Sequence, residues 1–338
     1  MIGRILTHLT DRIYEMPVLV LMPHSRCNCR CVMCDIWKAN QNRNEISVEE
    51  LERHIHELRR LKVKRVALSG GEALMHSNLW KFCDLLHSIG TKISLLSTGI
   101  TLGHQAENVV KYCDDVIVSL DGSREIHNQI RNIAAAFEKL EEGVSAVKAM
   151  NPKFRVTGRT VVQKSNFRDF SNIVNTAKAL GLDQISFLAA DVSSEAFNRP
   201  DPWKGERASE VALTIDEAKE LESIFEKSFI DFKNEYESKF IAENPVKIRA
   251  IAQHYRAIAG VNNFPGRNCN APWVSAVVEA DGSVLPCFFH KAYGNIHDSS
   301  FLKIVNGPKA VAFRKALDVQ NDPICKKCVC SLRVGLLQ

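Results

Sequence analysis

Six short apolar runs, each followed by an amphipathic stretch, pattern the first half of the chain. They are PVLVLMP (17–23), VKRVALS (63–69), KISLLST (92–98), DVIVSL (115–120), RVTGRTVV (155–162) and QISFLA (184–189). Short runs rich in Val and Ile read as strands covered on both faces. Between the first two, Ser47 and Glu50 form a capping box ahead of a stripe of Leu51, Ile55 and Leu58, which predicts a helix. Strands alternating with helices imply a parallel sheet with right-handed crossovers, and six such units make an incomplete eight-fold barrel.

After the sixth run the pattern changes. Residues 191–213 are polar and interrupted by Pro200 and Pro202, a loop over the barrel mouth. Thr214 and Glu217 form a second capping box. One long helix is expected behind it, with Leu221, Ile224, Phe225, Phe229, Phe232, Tyr236 and Phe240 as a core-packing stripe. Further on, Asp281-Gly282 between β-prone runs signals a hairpin. The expected architecture is α/β: a partial (β/α)6 TIM-like barrel with a small C-terminal cysteine-rich α+β domain. Its divisions are an N-terminal helix (1–16), the barrel core (17–213), a helical linker (214–262) and the cysteine-rich unit (263–338).

Polar and special residues collect at the carboxyl ends of the expected strands, the face where barrels bind ligands. Cys27, Cys29, Cys31 and Cys34 follow the first, Gly70-Gly71-Glu72 the second, and Ser97-Thr98-Gly99 the third. Ser119 and Asp121 close the fourth, Asn166 follows the fifth, and Asp191 the sixth. Cys27, Cys31 and Cys34 stand in C-x3-C-x2-C spacing. Three thiolates can hold three corners of a cubane cluster and leave the fourth iron open to a small molecule.

The remaining cysteines form a second group. A hairpin brings Cys269 and Cys287 together, and Cys325-x2-Cys328 supplies two more thiols. Four thiolates close either a zinc site or a complete [4Fe–4S] cluster, and spacing does not separate the two. Cys29 and Cys330 are spare, while Cys83 and Cys113 read as small buried hydrophobes. Eleven cysteines without a secretory signal argue against a disulfide scaffold and for metal ligation in a reducing cytoplasm. The apolar run 17–23 is too short for a membrane span. A net charge of +5, scattered over 338 residues, lacks the clustering of a nucleic-acid surface.

With C-x3-C-x2-C after the first strand, GGEA at 70–73 and six βα units, the chain resembles the radical S-adenosylmethionine (radical SAM) superfamily. The spacing C-x12-G-x4-C from Cys269 through Gly282 to Cys287 resembles the SPASM/twitch auxiliary-cluster domain. The resemblance implies that Cys27, Cys31 and Cys34 ligate a [4Fe–4S] cluster whose open iron chelates S-adenosylmethionine. Reductive cleavage would then give a 5′-deoxyadenosyl radical that takes hydrogen from substrate. It further implies that Gly70, Gly71 and Glu72 meet the methionine amino group, with the Glu72 carboxylate accepting from it. Ser97 and Thr98 would contact the cofactor, Ser119 and Asp121 the ribose, and Arg159 the methionine carboxylate. An electron donor such as flavodoxin or ferredoxin is implied as partner.

Two departures matter. Cys29 stands where the family usually has an apolar residue. The full SPASM pattern continues with more cysteines than this chain offers, so the smaller form is expected, with one auxiliary cluster held by Cys269, Cys287, Cys325 and Cys328. Asp191, Phe197, Asn198 and Arg199 are the candidate substrate contacts. His24 and His290 read as packing or solvated residues. The N-terminus leaves no room for a separate leader-binding domain, which favours a small-molecule intermediate over a peptide. A peptide maturase and a non-catalytic iron–sulfur or zinc protein are the rival readings.

Overall fold

In the computed structural model, residues 2–335 are described. Six parallel strands form in the places the apolar runs mark: β1 (Val18–Leu21), β2 (Arg65–Leu68), β3 (Lys92–Ser97), β4 (Asp115–Ser119), β5 (Arg155–Val162) and β6 (Gln184–Ala189). They pair in chain order, with Val18 opposite Arg65 and Ser119 opposite Arg159. The sheet continues past β1 into β7 (Ser275–Val278), β8 (Ser283–Leu285) and β9 (Gly294–Asn295). β7 lies parallel to β1, with Leu21 opposite Val278, and the hairpin turns at Gly282, whose φ of +83° only glycine adopts freely. The cysteine-rich hairpin therefore shares the barrel's sheet. The short helix Ala271–Val274, with Pro272 in its first turn, leads into β7.

Ahead of the sheet runs α1 (Ile2–Thr10), and the crossover helices are α2 (Val48–Arg60), α3 (Leu79–His87), α4 (Leu102–Tyr112), α5 (Arg124–Arg131), α6 (Ala136–Met150) and α7 (Phe170–Ala179). The Ser47–Glu50 and Thr214–Glu217 capping boxes both form, each satisfying donors that a helix start leaves open. One apolar core runs from Met16 and Leu19 through Val116 and Phe187 to Phe301. No helix among the described residues is long and apolar enough to cross a membrane.

The stretch after β6 departs from expectation. Within 191–213 a short helix, α8 (Gly205–Ser209), interrupts the loop. The expected long helix is two pieces, α9 (Ile215–Asp231) and α10 (Lys233–Glu237), broken at Phe232, where φ is −115° and ψ is 31°. The apolar phase continues through the break, which is why the stripe reads as unbroken. Lys239 then takes a left-handed φ of +60° and returns the chain to the edge of β6. There the Ile185 N–H donates to Phe240 O and the Ala242 N–H to Ile185 O. α11 (Pro245–Ile258) follows, with Asn244 as its cap.

Candidate active site

The loop after β1 is built around its cysteines. Asn40 clasps its start: the Cys27 N–H donates to Asn40 Oδ1 at 2.8 Å, and Asn40 Nδ2 donates to Cys27 O at 3.0 Å. Its middle caps the carboxyl end of α5, where Arg30 N–H donates to Arg131 O and Val32 N–H to Ile130 O. Orphan carbonyls of the helix are thus satisfied by loop donors. Gly71 presses against the loop from β2. A Cβ on Gly71 would lie 2.0 Å from the Arg26 carbonyl oxygen, so only glycine fits. Gly70 holds φ of +113°. His24 ties the two segments together, its Nδ1 accepting from Arg26 N–H and its Nε2 donating to Glu72 O at 2.6 Å. Burial lowers His24 to about 4, so the imidazole is neutral.

Cys27, Cys31 and Cys34 line a cavity of about 220 Å³ with Ser97, Thr98, Ser119, Arg159 and Asp191. Cys29 is buried away from it, its thiol meeting Cys31. The thiols are set up as acceptors. The Cys29 N–H donates to Cys27 sulfur, the Ile36 N–H to Cys34 at 3.5 Å, and Arg131 Nη1 to Cys31 at 3.5 Å. Burial pushes Cys27 and Cys34 up to about 12. A hydrogen bond from the Cys29 thiol lowers Cys31; burial opposes it, and the Arg131 charge adds to the lowering. Three convergent sulfurs, each with its own N–H donor, fit a cluster bound through thiolates.

Two side chains expected at the cofactor are turned elsewhere. Glu72 is fully buried, and its carboxylate accepts from Thr98 N–H and Thr98 Oγ1, both at 2.6 Å, and from Ser97 Oγ at 3.2 Å. It braces the end of β3 instead of facing the cavity, because a buried carboxylate settles where it finds the most donors. Asp121 is likewise buried. It pairs with Arg131 and accepts from Val161 N–H at 3.0 Å. Asp191 and Arg199, expected as substrate contacts, face the cavity but bind each other at 2.8 Å, both buried.

Arg199 also donates to Met33 O at 3.1 Å and lies 3.9 Å from the Trp203 ring centre, whose other neighbour is Arg207 at 4.0 Å. Asn198 Nδ2 donates to Asp35 O and Trp203 Nε1 to Asp35 Oδ2, each at 3.2 Å. The post-β6 loop is thus a strap over the cysteine loop. Phe197 and Asn198 both take left-handed φ, at 63° and 62°, a costly conformation for a bulky residue. This pair turns Phe197 into the neck between the inner cavity and an outer one of about 320 Å³; Ile36, Gly70 and Gly71 border both. Phe288 and Phe289 pack against Phe197, and Glu195, Glu279 and Asp281 also line the outer cavity.

The second cysteine group repeats the sulfur pattern. The Ala271 N–H donates to Cys269 at 3.5 Å, the Cys330 N–H to Cys328 at 3.4 Å, and the N–H groups of Phe289 and His290 to Cys287. His290 Nε2 stands 3.3 Å from Cys325 sulfur and 3.7 Å from Asp322 Oδ1. Burial pushes the half-buried thiols of Cys287 and Cys325 up to about 11 and about 12; Cys269 and Cys330 add to the rise at Cys287, and Asp322, then Cys287 and Cys269, to that at Cys325. Cys330 sits among them but accepts no N–H. Val329, between Cys328 and Cys330, lines the inner cavity, so the segment that carries them forms part of its wall. Arg131 beside Cys31 and His290 beside Cys325 have no local motif in the sequence to mark them.

A partial barrel presenting three thiols at its mouth, with Val329 of the second cysteine group in the cavity wall, is a setting for an iron–sulfur cluster with an open iron. Residues 21–177 match the family model of the radical SAM superfamily and residues 269–329 that of an iron–sulfur cluster-binding domain, SPASM, so the chain carries both domains. Fe-coproporphyrin III synthase of Methanosarcina barkeri is 25% identical over 302 residues, covering 85% of this chain and 73% of its own. The subtilosin biosynthesis protein AlbA of Bacillus subtilis is 23% identical over 290 residues; the alignment covers 84% of this chain but only 58% of AlbA. Among solved structures, SuiB of Streptococcus suis bound to the precursor peptide SuiA superposes with a TM-score of 0.67 at 13% identity, over 97% of this chain and 74% of SuiB. Native anSMEcpe with bound AdoMet superposes with a TM-score of 0.66 at 21% identity, over 92% of this chain and 86% of that one. At these identities the structures establish the fold.

Proposed function

We propose that this radical SAM enzyme removes hydrogen from a small, polar biosynthetic intermediate, oxidising or rearranging it. The observation that carries the reading is Phe197, held in a strained conformation at the neck between the two cavities. The inner cavity holds the three cysteines and suits the cofactor. The outer, at about 320 Å³, falls at the lower end of small-ligand sites. The cluster and S-adenosylmethionine would supply the one-electron cleavage and the hydrogen-abstracting radical.

The chain's own residues do the rest. Cys27, Cys31 and Cys34 hold the cluster, and Ser97, Thr98, Ser119 and Arg159 face the cofactor space. Gly70 and Gly71 position the loop through backbone fit. Glu72 and Asp121 act from behind, the first fixing Thr98 and the second fixing Arg131 against Cys31. Carboxylates of Glu195, Glu279 and Asp281 favour a substrate with hydroxyl or amine groups. Cys269, Cys287, Cys325 and Cys328 hold one auxiliary cluster in this reading, reduced by a flavodoxin- or ferredoxin-type donor in a reducing cytoplasm.

A peptide substrate is the second reading. Side-chain amides of Asn42, Asn44 and Asn198 line the same outer cavity and can pair with a peptide backbone. Reconstituted protein incubated anaerobically with reductant, S-adenosylmethionine and deuterated candidates distinguishes the two. Deuterium appearing in 5′-deoxyadenosine from an aminocyclitol or sugar supports the first; transfer from a peptide alone overturns it. Failure to form 5′-deoxyadenosine at all would sink both.

A further inference from the structure

At the pole opposite the cavities, α1 is packed inside out. Its buried side chains are polar: Arg4 pairs with Glu15 and reaches Gly335 O, and Thr7 donates to Gly3 O at 2.9 Å and accepts from Tyr14 N–H at 3.0 Å, while His8, exposed at the edge, stacks on Trp273. Its apolar stripe faces solvent. Ile2, Ile5, Leu6 and Leu9, spaced as one helical face, are 71, 39, 38 and 75% exposed. Scattered exposed aliphatics need no explanation, but four on one helix face, with Arg4 and Thr7 as the buried residues, form a surface that awaits a partner.

Beside this helix lies a recess of about 560 Å³. Arg12, Arg60 and Lys303 line it, with half-exposed Tyr14 at its rim, and no carboxylate lines it. None of the three cations makes an ion pair among the described residues. Tyr14 joins the two features, since its N–H is bonded to Thr7 of the helix. The residues Arg12–Tyr14 precede β1 and Arg60 precedes β2, so the recess belongs to the amino ends of the strands.

We infer that this face binds an anionic lipid surface, with α1 lying in the interface plane and the cations against the headgroups. An apolar face with a tyrosine and flanking cations is the composition of an interfacial helix, and it lies on a bilayer without crossing it. A second copy of this chain is disfavoured on charge. A two-fold contact sets the same patch against itself, bringing Arg12, Arg60 and Lys303 toward their own copies without a counter-ion. Bound this way, the enzyme keeps its mouth toward the solvent side of the membrane.

The test is co-flotation of the reconstituted full chain with phosphatidylcholine vesicles, with and without phosphatidylglycerol. Binding is expected only with phosphatidylglycerol and should weaken with salt. Ile2→Glu and Leu9→Glu alter the most exposed positions and should each weaken it on the order of tenfold at unchanged melting temperature. Arg12→Gln, Arg60→Gln and Lys303→Gln should each weaken it about fivefold. No binding at any phosphatidylglycerol content overturns the proposal, as does binding indifferent to Ile2→Glu and Leu9→Glu. A wild-type dimer that Ile2→Glu with Leu9→Glu makes monomeric would also overturn it, assigning the stripe to a second copy.

Discussion

The guanidinium of Arg131 stands 3.5 Å from the sulfur of Cys31 while its other arm is locked to the buried carboxylate of Asp121. A cation fixed beside one thiolate of the cluster loop favours the more negative, reduced state of whatever that thiolate binds. Replacing the pair together, Asp121→Asn with Arg131→Met, avoids stranding a buried charge. It should make the midpoint potential of the Cys27–Cys34 cluster more negative by on the order of 50 mV, part of the value of a hydrogen bond to a charged group. Potentiometric titration followed by EPR reads the shift. An unchanged potential would reduce Arg131 to a packing role. Arg131→Met alone should also cost about 3–5 kcal/mol of stability, since Asp121 is then uncompensated.

Gly71 should tolerate no side chain. The Cβ of an alanine would overlap the Arg26 carbonyl at 2.0 Å, and backbone cannot step aside as a flexible side chain can. Gly71→Ala is therefore expected to displace the cysteine loop and lose the iron of the first site, leaving the auxiliary absorbance in place. Iron and sulfide analysis of the reconstituted variant checks this. Full iron content would mean that the loop can shift without cost.

The strands were legible because burial on both faces writes itself as short Val- and Ile-rich runs, and both capping boxes formed where Ser47 and Thr214 announce them. What escaped depends on partners distant in sequence. Glu72 looks like a ligand in the run GGEA, yet Thr98, 26 residues on, claims its carboxylate. Cys31 and Arg131 meet across 100 residues. The break at Phe232 was hidden because the helical phase of the stripe runs through it. The inverted packing of α1 is equally unreadable locally, since the pattern of Ile2, Ile5, Leu6 and Leu9 is the same whichever face is buried.

The second cysteine group should hold its own cluster, giving about eight irons per chain in total. Cys325→Ser with Cys328→Ser is expected to lower this to about four, whereas Cys330→Ser should leave it unchanged, because the Cys330 sulfur accepts no N–H as its neighbours do. Elemental analysis separates the outcomes. About four irons with stoichiometric zinc in the unaltered protein would assign the site to zinc.

The strap over the cysteine loop predicts strong coupling. Asp191 and Arg199 are both buried and hydrogen-bonded to each other, and Arg199 is stacked on Trp203. Arg199→Met alone should destabilise by about 3–5 kcal/mol, and adding Asp191→Asn should recover part of that loss. A double-mutant cycle by urea unfolding measures the coupling energy; strictly additive single effects would contradict a mutually dependent pair.

Acid should unfold the protein through two histidines outside the reactive chemistry. His254 is buried with neither ring nitrogen bonded, and His127 is buried with Nδ1 accepting from Asp121 N–H. Burial, aided by Arg267 near the first and Arg131 near the second, lowers both to about 3 in the folded chain. Unfolded, each returns to the ordinary value near 6.5. Between those limits the unfolded chain binds more protons, so stability is complete above about pH 6.5 and falls as pH drops toward about 3, by up to about 1.4 kcal/mol per pH unit for each histidine. Urea midpoints compared at about pH 7.5 and about pH 5 should show the loss. His254→Phe removes one titrating group without stranding a partner, and should flatten the acid slope by no more than about a third, because His24, lowered to about 4, titrates in the same window. An unaltered slope in that variant would place the acid sensitivity elsewhere.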